Sequence, residues 1–289
     1  MRFHRKDCDS GRMFTSEIVN QAINYIMQHV NEPITIDEVA EYCHFSKYYF
    51  CRLFKAETGE SVHAFIVRMK LEQSAFRLKV EQKRSITDIG CDYGYSASNY
   101  STAFRKHHHT SPADFRKYIF EKSAKHPSYH GKPLSEMTYE ECCNKVKIKE
   151  LPDYYAVYER RFGNYRSLAE EWHHFTEKYS DYITENTVFL ERSYDDPSIT
   201  DEDNCIYDFY MAVDRDCPLT NTCVIQGGKF AVYSFQGCIE QIYAAYQALF
   251  QIWFPHNSYE IDERYGFGIY HTVDCETMYV EMDICVPVR

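Results

Sequence analysis

Two hydrophobic periods divide the chain. Up to about residue 120 apolar positions recur at the three-to-four spacing of helices, and beyond about residue 145 they alternate as strands do. From Ser16 to His29 a stripe of Ile18, Val19, Ala22, Ile23, Ile26 and Met27 predicts a helix ending near Asn31-Glu32-Pro33. A short helix follows at Ile36-Asp37-Glu38-Val39-Ala40, with Thr35 as its N-cap and Ala40 small enough for another helix to cross closely. After a turn at Tyr42-Cys43-His44-Phe45, Ser46 is placed to cap a third helix that turns Phe50, Leu53 and Phe54 inward. That leaves Lys47, Tyr48, Tyr49, Cys51, Arg52 and Lys55 outward or at the edge.

The pattern then recurs. A long helix from Val62 to Val80 leads to Ile86-Thr87-Asp88-Ile89-Gly90, a turn at Cys91 to Tyr95, and a helix from Ser96 to Lys106. One rigid helix joining two reading helices places them to enter successive major grooves, about 34 Å apart, without a second chain. Residues 121–144 carry Pro127, Gly131 and Pro133 without sustained periodicity and read as a linker, with a short helix at Ser135 to Cys142 capped by Ser135. The expected domains are therefore residues 12–120 and 145–289.

In the second domain, strands at Val146 to Leu151 and Tyr154 to Tyr158 precede a helix from Tyr165 to Tyr179, then strands around Thr187 to Tyr194 and Ile206 to Val213. The order runs again through Lys229 to Ser234, a helix from Ile239 to Trp253, Tyr265 to His271, and Asp283 to Val288. The fold class that follows is an all-α double helix-turn-helix domain joined to an α+β domain of two tandem strand-helix-strand-strand repeats.

Charge sharpens this division. The net charge of −11 argues against nucleic acid only if spread evenly, and it is not: residues 1–126 hold 19 Lys and Arg against 15 Asp and Glu, the remainder 13 against 28. The 44% hydrophobic and 26% charged composition excludes wholesale disorder and a coiled-coil rod. No apolar run reaches a membrane span, and residues 1–7 lack the apolar core of a signal peptide, so a cytoplasmic location without membrane contact is expected. The 12 cysteines include no C-x-x-C pair and fall largely in periodic apolar segments, Cys275 among them, as free thiols do. Neither zinc nor any cofactor is expected. His107-His108-His109 points three ways from a helix end and cannot grip one ion.

At Ile36 to Ala40, Ser46 to Gly59, and Ile86 to Gly90 through Phe104-Arg105-Lys106 to Ser111-Pro112, the sequence resembles the AraC/XylS-type DNA-binding domain over roughly residues 14–118. The resemblance implies seven helices, binding to promoter double-stranded DNA and contact with RNA polymerase. It maps the reading positions onto Lys47, Tyr48, Cys51 and Arg52 in the first unit and Ser98, Asn99, Thr102 and Arg105 in the second. Tyr49 lies on the same exposed row. Gly90 stands where the family commonly has alanine, and His108 and His109 where it has an aromatic and a glycine.

The doubled unit, with Tyr155-Ala156-Val157-Tyr158, Phe230-Ala231-Val232-Tyr233, Gly227-Gly228, Asp195-Asp196-Pro197 and the ending Asp283 to Val288, resembles the GyrI-like effector-binding domain over about residues 146–288. That implies a pocket at the repeat junction for bulky, often cationic apolar molecules, held by aromatic rings and a buried carboxylate. Alternation suggests which carboxylate. Val280, Met282, Ile284 and Val286 form the apolar face that helices cover, so Tyr279, Glu281, Asp283 and Cys285 share the other. Glu281 is the expected acid, Asp283 the second choice, and Tyr210, Trp172, Tyr246, Trp253 and Tyr270 the expected aromatic walls.

No phosphate loop, Gly-x-Ser-x-Gly or His-Glu-x-x-His is present, so no enzyme is expected. The alternatives are a protein-interaction module without a small ligand, or a hydrolase in which Glu281 with Tyr279 or Tyr246 activates water. Oligomeric state stays open.

Overall fold

The computed structural model describes residues 12–13, 17–165, 168–274 and 276–289. The stretch 1–7, the helix start at Ser16 and Cys275 lie outside the described residues. The chain forms two units: the helical stretch up to Pro127 together with Ser198–Thr200, and a second holding residues 12–13, Ser128–Pro197 and Asp201–Arg289. Arg12 and Met13, grouped by sequence with the helices, instead form a strand of the second unit.

In the helical unit, α1 (Glu17–Gln28) buries Val19, Ala22, Ile23, Ile26 and Met27 along one stripe. Helices α2 (Ile36–Tyr42) and α3 (Lys47–Thr58) form the first helix-turn-helix, α4 (Val62–Val80) bridges, α5 (Ile86–Asp92) and α6 (Ala97–His108) form the second, and α7 (Pro112–Ala124) closes the unit. A capping box starts α2: Glu38 N donates to the Thr35 hydroxyl at 3.2 Å, and Thr35 N donates to the Glu38 carboxylate at 2.7 Å. Ser85 caps α5, and Ser96 caps α6. Ser46 precedes α3 with extended backbone, but its side chain makes no capping bond, contrary to expectation.

The two helix-turn-helix units repeat the same element bounds at an offset of 50 residues: Ile36 matches Ile86, Lys47 matches Ala97, and Gly59 matches His109. Phe50 and Phe54 are buried in one, Tyr100 and Phe104 in the other. The departures at Gly90, His108 and His109 then acquire causes. A Cβ at Gly90 would lie 2.6 Å from Tyr100 Cγ, and the Tyr100 hydroxyl is tied to Ser74 at 3.0 Å, so the larger ring excludes alanine. His108 fills the aromatic place, its ring 4.4 Å from that of Phe104 and 5.4 Å from that of Phe115. Burial, helped by His107, pushes its pKa down to about 4, so it packs as a neutral ring. His109 caps α6 in the left-handed conformation that Gly59 adopts after α3.

The second unit is one antiparallel sheet. Its strands are β1 (Arg12–Met13), β2 (Val146–Leu151), β3 (Tyr154–Phe162), β4 (Phe189–Ser193), β5 (Ile206–Ala212), β6 (Thr222–Ile225), β7 (Gly228–Cys238), β8 (Phe267–Asp274) and β9 (Tyr279–Pro287). They run β1-β3-β5-β4-β8-β9-β7-β2, with β6 also paired to β3. The repeats β3-α9-β4-β5 and β7-α10-β8-β9 therefore meet at β4 and β8 in mirrored order, where α9 is Leu168–Lys178 and α10 is Ile242–Ala248. Beyond α10 the chain continues as a π-helical turn, Leu249–Trp253, so the single helix read from the sequence is interrupted.

The segment read as a linker is more ordered than its composition suggests. Glu121–Ala124 complete α7, and α8 (Tyr139–Cys143) starts from a capping box at Thr138, not from Ser135. Among the described residues no helix is long and apolar enough to cross a membrane.

Candidate DNA interface and effector site

Helix α3 presents Lys47, Tyr48, Tyr49 and Arg52 to solvent, with Tyr48 76% and Tyr49 53% exposed, while Phe50 and Phe54 anchor its other side. Aromatic rings left this open are not serving the core, which suits them to a partner's groove. Cys51 is half-buried at the edge of that face. Arg52 lies 5.8 Å above the Tyr48 ring, and Lys47 is held by Asp37 at 2.7 Å on the surface. On α6 the equivalent face exposes Ser98, Asn99, Thr102 and Arg105. Thr102 donates to the Ser98 carbonyl at 3.0 Å, which turns its hydroxyl back to the helix. Two further cations share these faces, Lys55 on α3 and Lys106 on α6, both exposed. The 50-residue offset would have found Lys55 from Arg105.

The acids of β9 do not stand on the face where the predicted rings of α9 and α10 meet. Cross-strand partners share a face of the sheet, and Asp283 pairs with Ile269, Tyr210 with Leu190, in a core cluster that includes Cys285. Tyr279, Glu281 and Asp283 alternate onto this same side, away from α9. There Asp283 accepts from Ser234 at 2.9 Å and Lys149 at 3.1 Å, and these partners outweigh its burial and lower its pKa. Glu281 accepts from the exposed Tyr279 hydroxyl at 3.2 Å. Tyr210 is buried in a separate polar cluster, and Trp253 is buried against Phe254 and Tyr259. The two faces of β9 are as alternation predicts, and Trp172 and Tyr270 meet on the helix-bearing one, opposite Glu281 and Asp283.

On the helix-bearing face, at the junction of the repeats, stands Glu191. Its neighbours across β4 are Phe209 on β5 and Gly268 on β8, and Trp172 from α9 lies 4.6 Å from the Phe209 ring. Trp172 Nε1 donates to Glu191 Oε2 at 2.8 Å, and the Tyr270 hydroxyl donates to the same oxygen at 3.0 Å. Among the described residues no protein donor meets Oε1. The rings of Trp172 and Tyr270 are 5.3 Å apart in edge-to-face contact. Tyr246 of α10 closes the group, near enough that the Glu191 charge adds to burial in raising its phenol pKa.

Burial raises the Glu191 pKa against the two hydrogen bonds that lower it. Yet Glu191, Trp172, Tyr246 and Tyr270 each stay only half-buried. The carboxyl is thus desolvated and still reachable from solvent between these rings. Trp172, Tyr246 and Tyr270 from the sequence prediction meet here; Glu281, Asp283, Tyr279 and Tyr210 do not. Glu191 escaped because β4 reads Phe189-Leu190-Glu191-Arg192, with one apolar and one charged residue on each face. The available signal was a lone acid in a central strand, facing a glycine in the matching strand of the other repeat.

A model of the GyrI-like small molecule binding domain matches residues 144–289, and a helix-turn-helix domain model matches residues 39–118. Over 105 residues the chain is 32% identical to the regulatory protein SoxS of Salmonella typhimurium, covering 36% of this chain and 97% of SoxS. Over 234 residues it is 23% identical to the transcriptional regulator Rob of the same organism, covering 76% of this chain and 78% of Rob. Among solved structures, the C-terminal domain of AraT, a response regulator from Geobacillus stearothermophilus, shares 32% identity. That match covers 35% of this chain and 85% of that one, with a TM-score of 0.34.

Proposed function

The chain belongs to the GyrI-like family of small-molecule-binding domains, joined to an AraC-type helix-turn-helix domain, and from that premise we propose a one-component transcription regulator whose effector is a lipophilic organic cation. The DNA-binding regulator rests on the helix-turn-helix match and on the likeness to SoxS and Rob; the effector class rests on Glu191. A recessed carboxylate with one oxygen free and aromatic walls attracts a cation by charge in a reduced dielectric, and each ring adds about 0.5 to 2 kcal/mol of cation–π attraction. Trp172, Tyr246 and Tyr270 form the walls, and Glu191 takes the role expected of Glu281.

On DNA, Lys47, Tyr48, Tyr49, Cys51 and Arg52 read the first half-site, and Ser98, Asn99, Thr102 and Arg105 the second. Lys55 and Lys106 are proposed phosphate contacts. The protein works in the cytoplasm and engages RNA polymerase at the promoter, as the AraC-type resemblance implies. Sensing rather than turnover is proposed, since Glu281, the acid on which a hydrolase was built, lies away from the cleft.

Benzyltrimethylammonium and its neutral carbon isostere neopentylbenzene test the effector class, with binding followed through tryptophan fluorescence. Glu191→Gln is expected to weaken the cation at least tenfold and leave the isostere unchanged. Equal loss of both would reduce Glu191 to a structural group.

A further inference from the structure

Glu191 and Arg192 are neighbours on β4 and therefore face opposite sides of the sheet. On the Arg192 side lies a buried cluster whose charges do not cancel. Asp208 is saturated: it accepts from Arg160 Nε at 2.8 Å, Arg160 Nη2 at 2.7 Å, the Tyr194 hydroxyl at 2.7 Å and the Tyr210 hydroxyl at 2.7 Å. Arg160 and Asp208 are both fully buried and neutralise each other. Arg192 is a second guanidinium at the same place, 5.7 Å from the Tyr210 ring centre and 5.9 Å from that of Tyr194.

Among the described residues no carboxylate pairs with Arg192, and its Nε is buried without an acceptor. Its polar neighbours are the Tyr210 and Tyr194 hydroxyls and Asp208, which stands directly opposite on β5, and all three are already committed to one another or to Arg160. No other side chain there can supply the missing negative charge at neutral pH. Burial holds the Tyr194 phenol and the nearby Cys223 thiol up at about 12, and the Tyr210 phenol well above its ordinary value. A guanidinium does not discharge by losing its proton. Tyrosine faces stabilise it in part, but they carry no net charge.

The geometry points to a second ligand site on this face, distinct from the Glu191 cleft, in which Arg192 binds a small carboxylate carrying an aromatic body. The carboxylate balances the cluster and fits the planar fork of the guanidinium, while the aromatic part packs at the rim, where the half-buried Tyr265 ring meets that of Tyr194 at 4.9 Å. Arg192 is only half-buried, so its solvent-reached end admits the ligand and a side-chain rotation presents the Nε edge. The site would be read alongside the cation cleft, with one strand carrying the two recognition charges on its two faces.

The test uses the full chain and sodium benzoate, with melting temperature as the readout and ionic strength held constant with chloride. Benzoate is expected to raise the melting temperature saturably in the parent and in Glu191→Gln, and to lose that effect in Arg192→Gln. No saturable shift, the same shift in Arg192→Gln, or an equal shift from chloride alone overturns the proposal. So does loss in Glu191→Gln, which would place the anion in the cation cleft. A second measurement needs no ligand: Arg192→Gln removes an unbalanced buried charge, so without benzoate it should melt at or above the parent. A drop of several degrees would mean that the protein itself satisfies the guanidinium.

Discussion

Two carboxylates one register position apart on the paired strands β4 and β5, facing opposite sides of the sheet, show how partners, not residue type, set chemistry. Asp208 is surrounded by four donors and has nothing left to offer a ligand. Glu191 gives one oxygen to Trp172 and Tyr270 and meets no protein donor with the other among the described residues. Because burial raises its pKa above the ordinary carboxyl range, folded Glu191 keeps its proton at pH values where the unfolded chain has released it. Its contribution to stability is thus full below the ordinary carboxyl pKa and is lost as pH rises through the raised one. Glutamine keeps the acceptor oxygen for both donors and never ionises. The melting temperature of Glu191→Gln relative to the parent should therefore climb between pH 4.5 and pH 8. A constant difference across that range would show that the carboxyl is not desolvated. The same linkage makes cation binding release a proton, so affinity for benzyltrimethylammonium should rise with pH over the same window.

Within the helices, one architectural unit has been built twice with different fillings. The first copy buries Ala40 and Phe50 at the places where the second packs Gly90 against Tyr100, whose hydroxyl reaches Ser74 on α4. Gly90→Ala should cost about 1 to 3 kcal/mol in urea unfolding, the usual range for overpacking a filled core. Tyr100→Phe in the same chain should recover part of that cost, because a ring freed from Ser74 is able to retreat; strictly additive losses would refute the coupling. Much of this was legible in the sequence. The helical stripe predicts α1 through α6 to within a few residues, since a buried helix face repeats every three to four positions and caps mark its ends, while α7 follows only from the seven helices that the AraC-type resemblance implies. Pairing was legible less far. Alternation tells which residues of β9 share a face and that helices cover the apolar one, but not on which face the aromatic rings gather, and it leaves Glu281 on the side away from Trp172 and Tyr270. Arg12 and Met13 joined the sheet through backbone pairing with Phe162 and Arg161, which leaves no hydrophobic pattern to read.

At the scale of the whole chain, the charge imbalance limits how strongly DNA binding depends on salt. The two reading faces expose five cations, Lys47, Arg52 and Lys55 on α3 and Arg105 and Lys106 on α6. If all five displaced counterions, operator affinity would fall about 500-fold between 50 and 200 mM salt, from a slope of roughly 0.9 per phosphate contact. The residues beyond 126 hold 28 acids against 13 bases, and salt screens the repulsion they exert on DNA as well as the attraction of the helices. The full chain should therefore show a slope shallower than five contacts give. Single changes separate the roles. Lys55→Ala should reduce the slope by about one and weaken all sequences alike, as a phosphate contact does. Arg52→Ala should cost about 1 to 3 kcal/mol on the operator and relax preference at one base position, with far less effect on random DNA. Equal losses on operator and random DNA would move Arg52 from base reading to phosphate binding. A slope steeper than five would mean that basic groups outside α3 and α6 touch the backbone, and the two reading helices would then be only part of the interface.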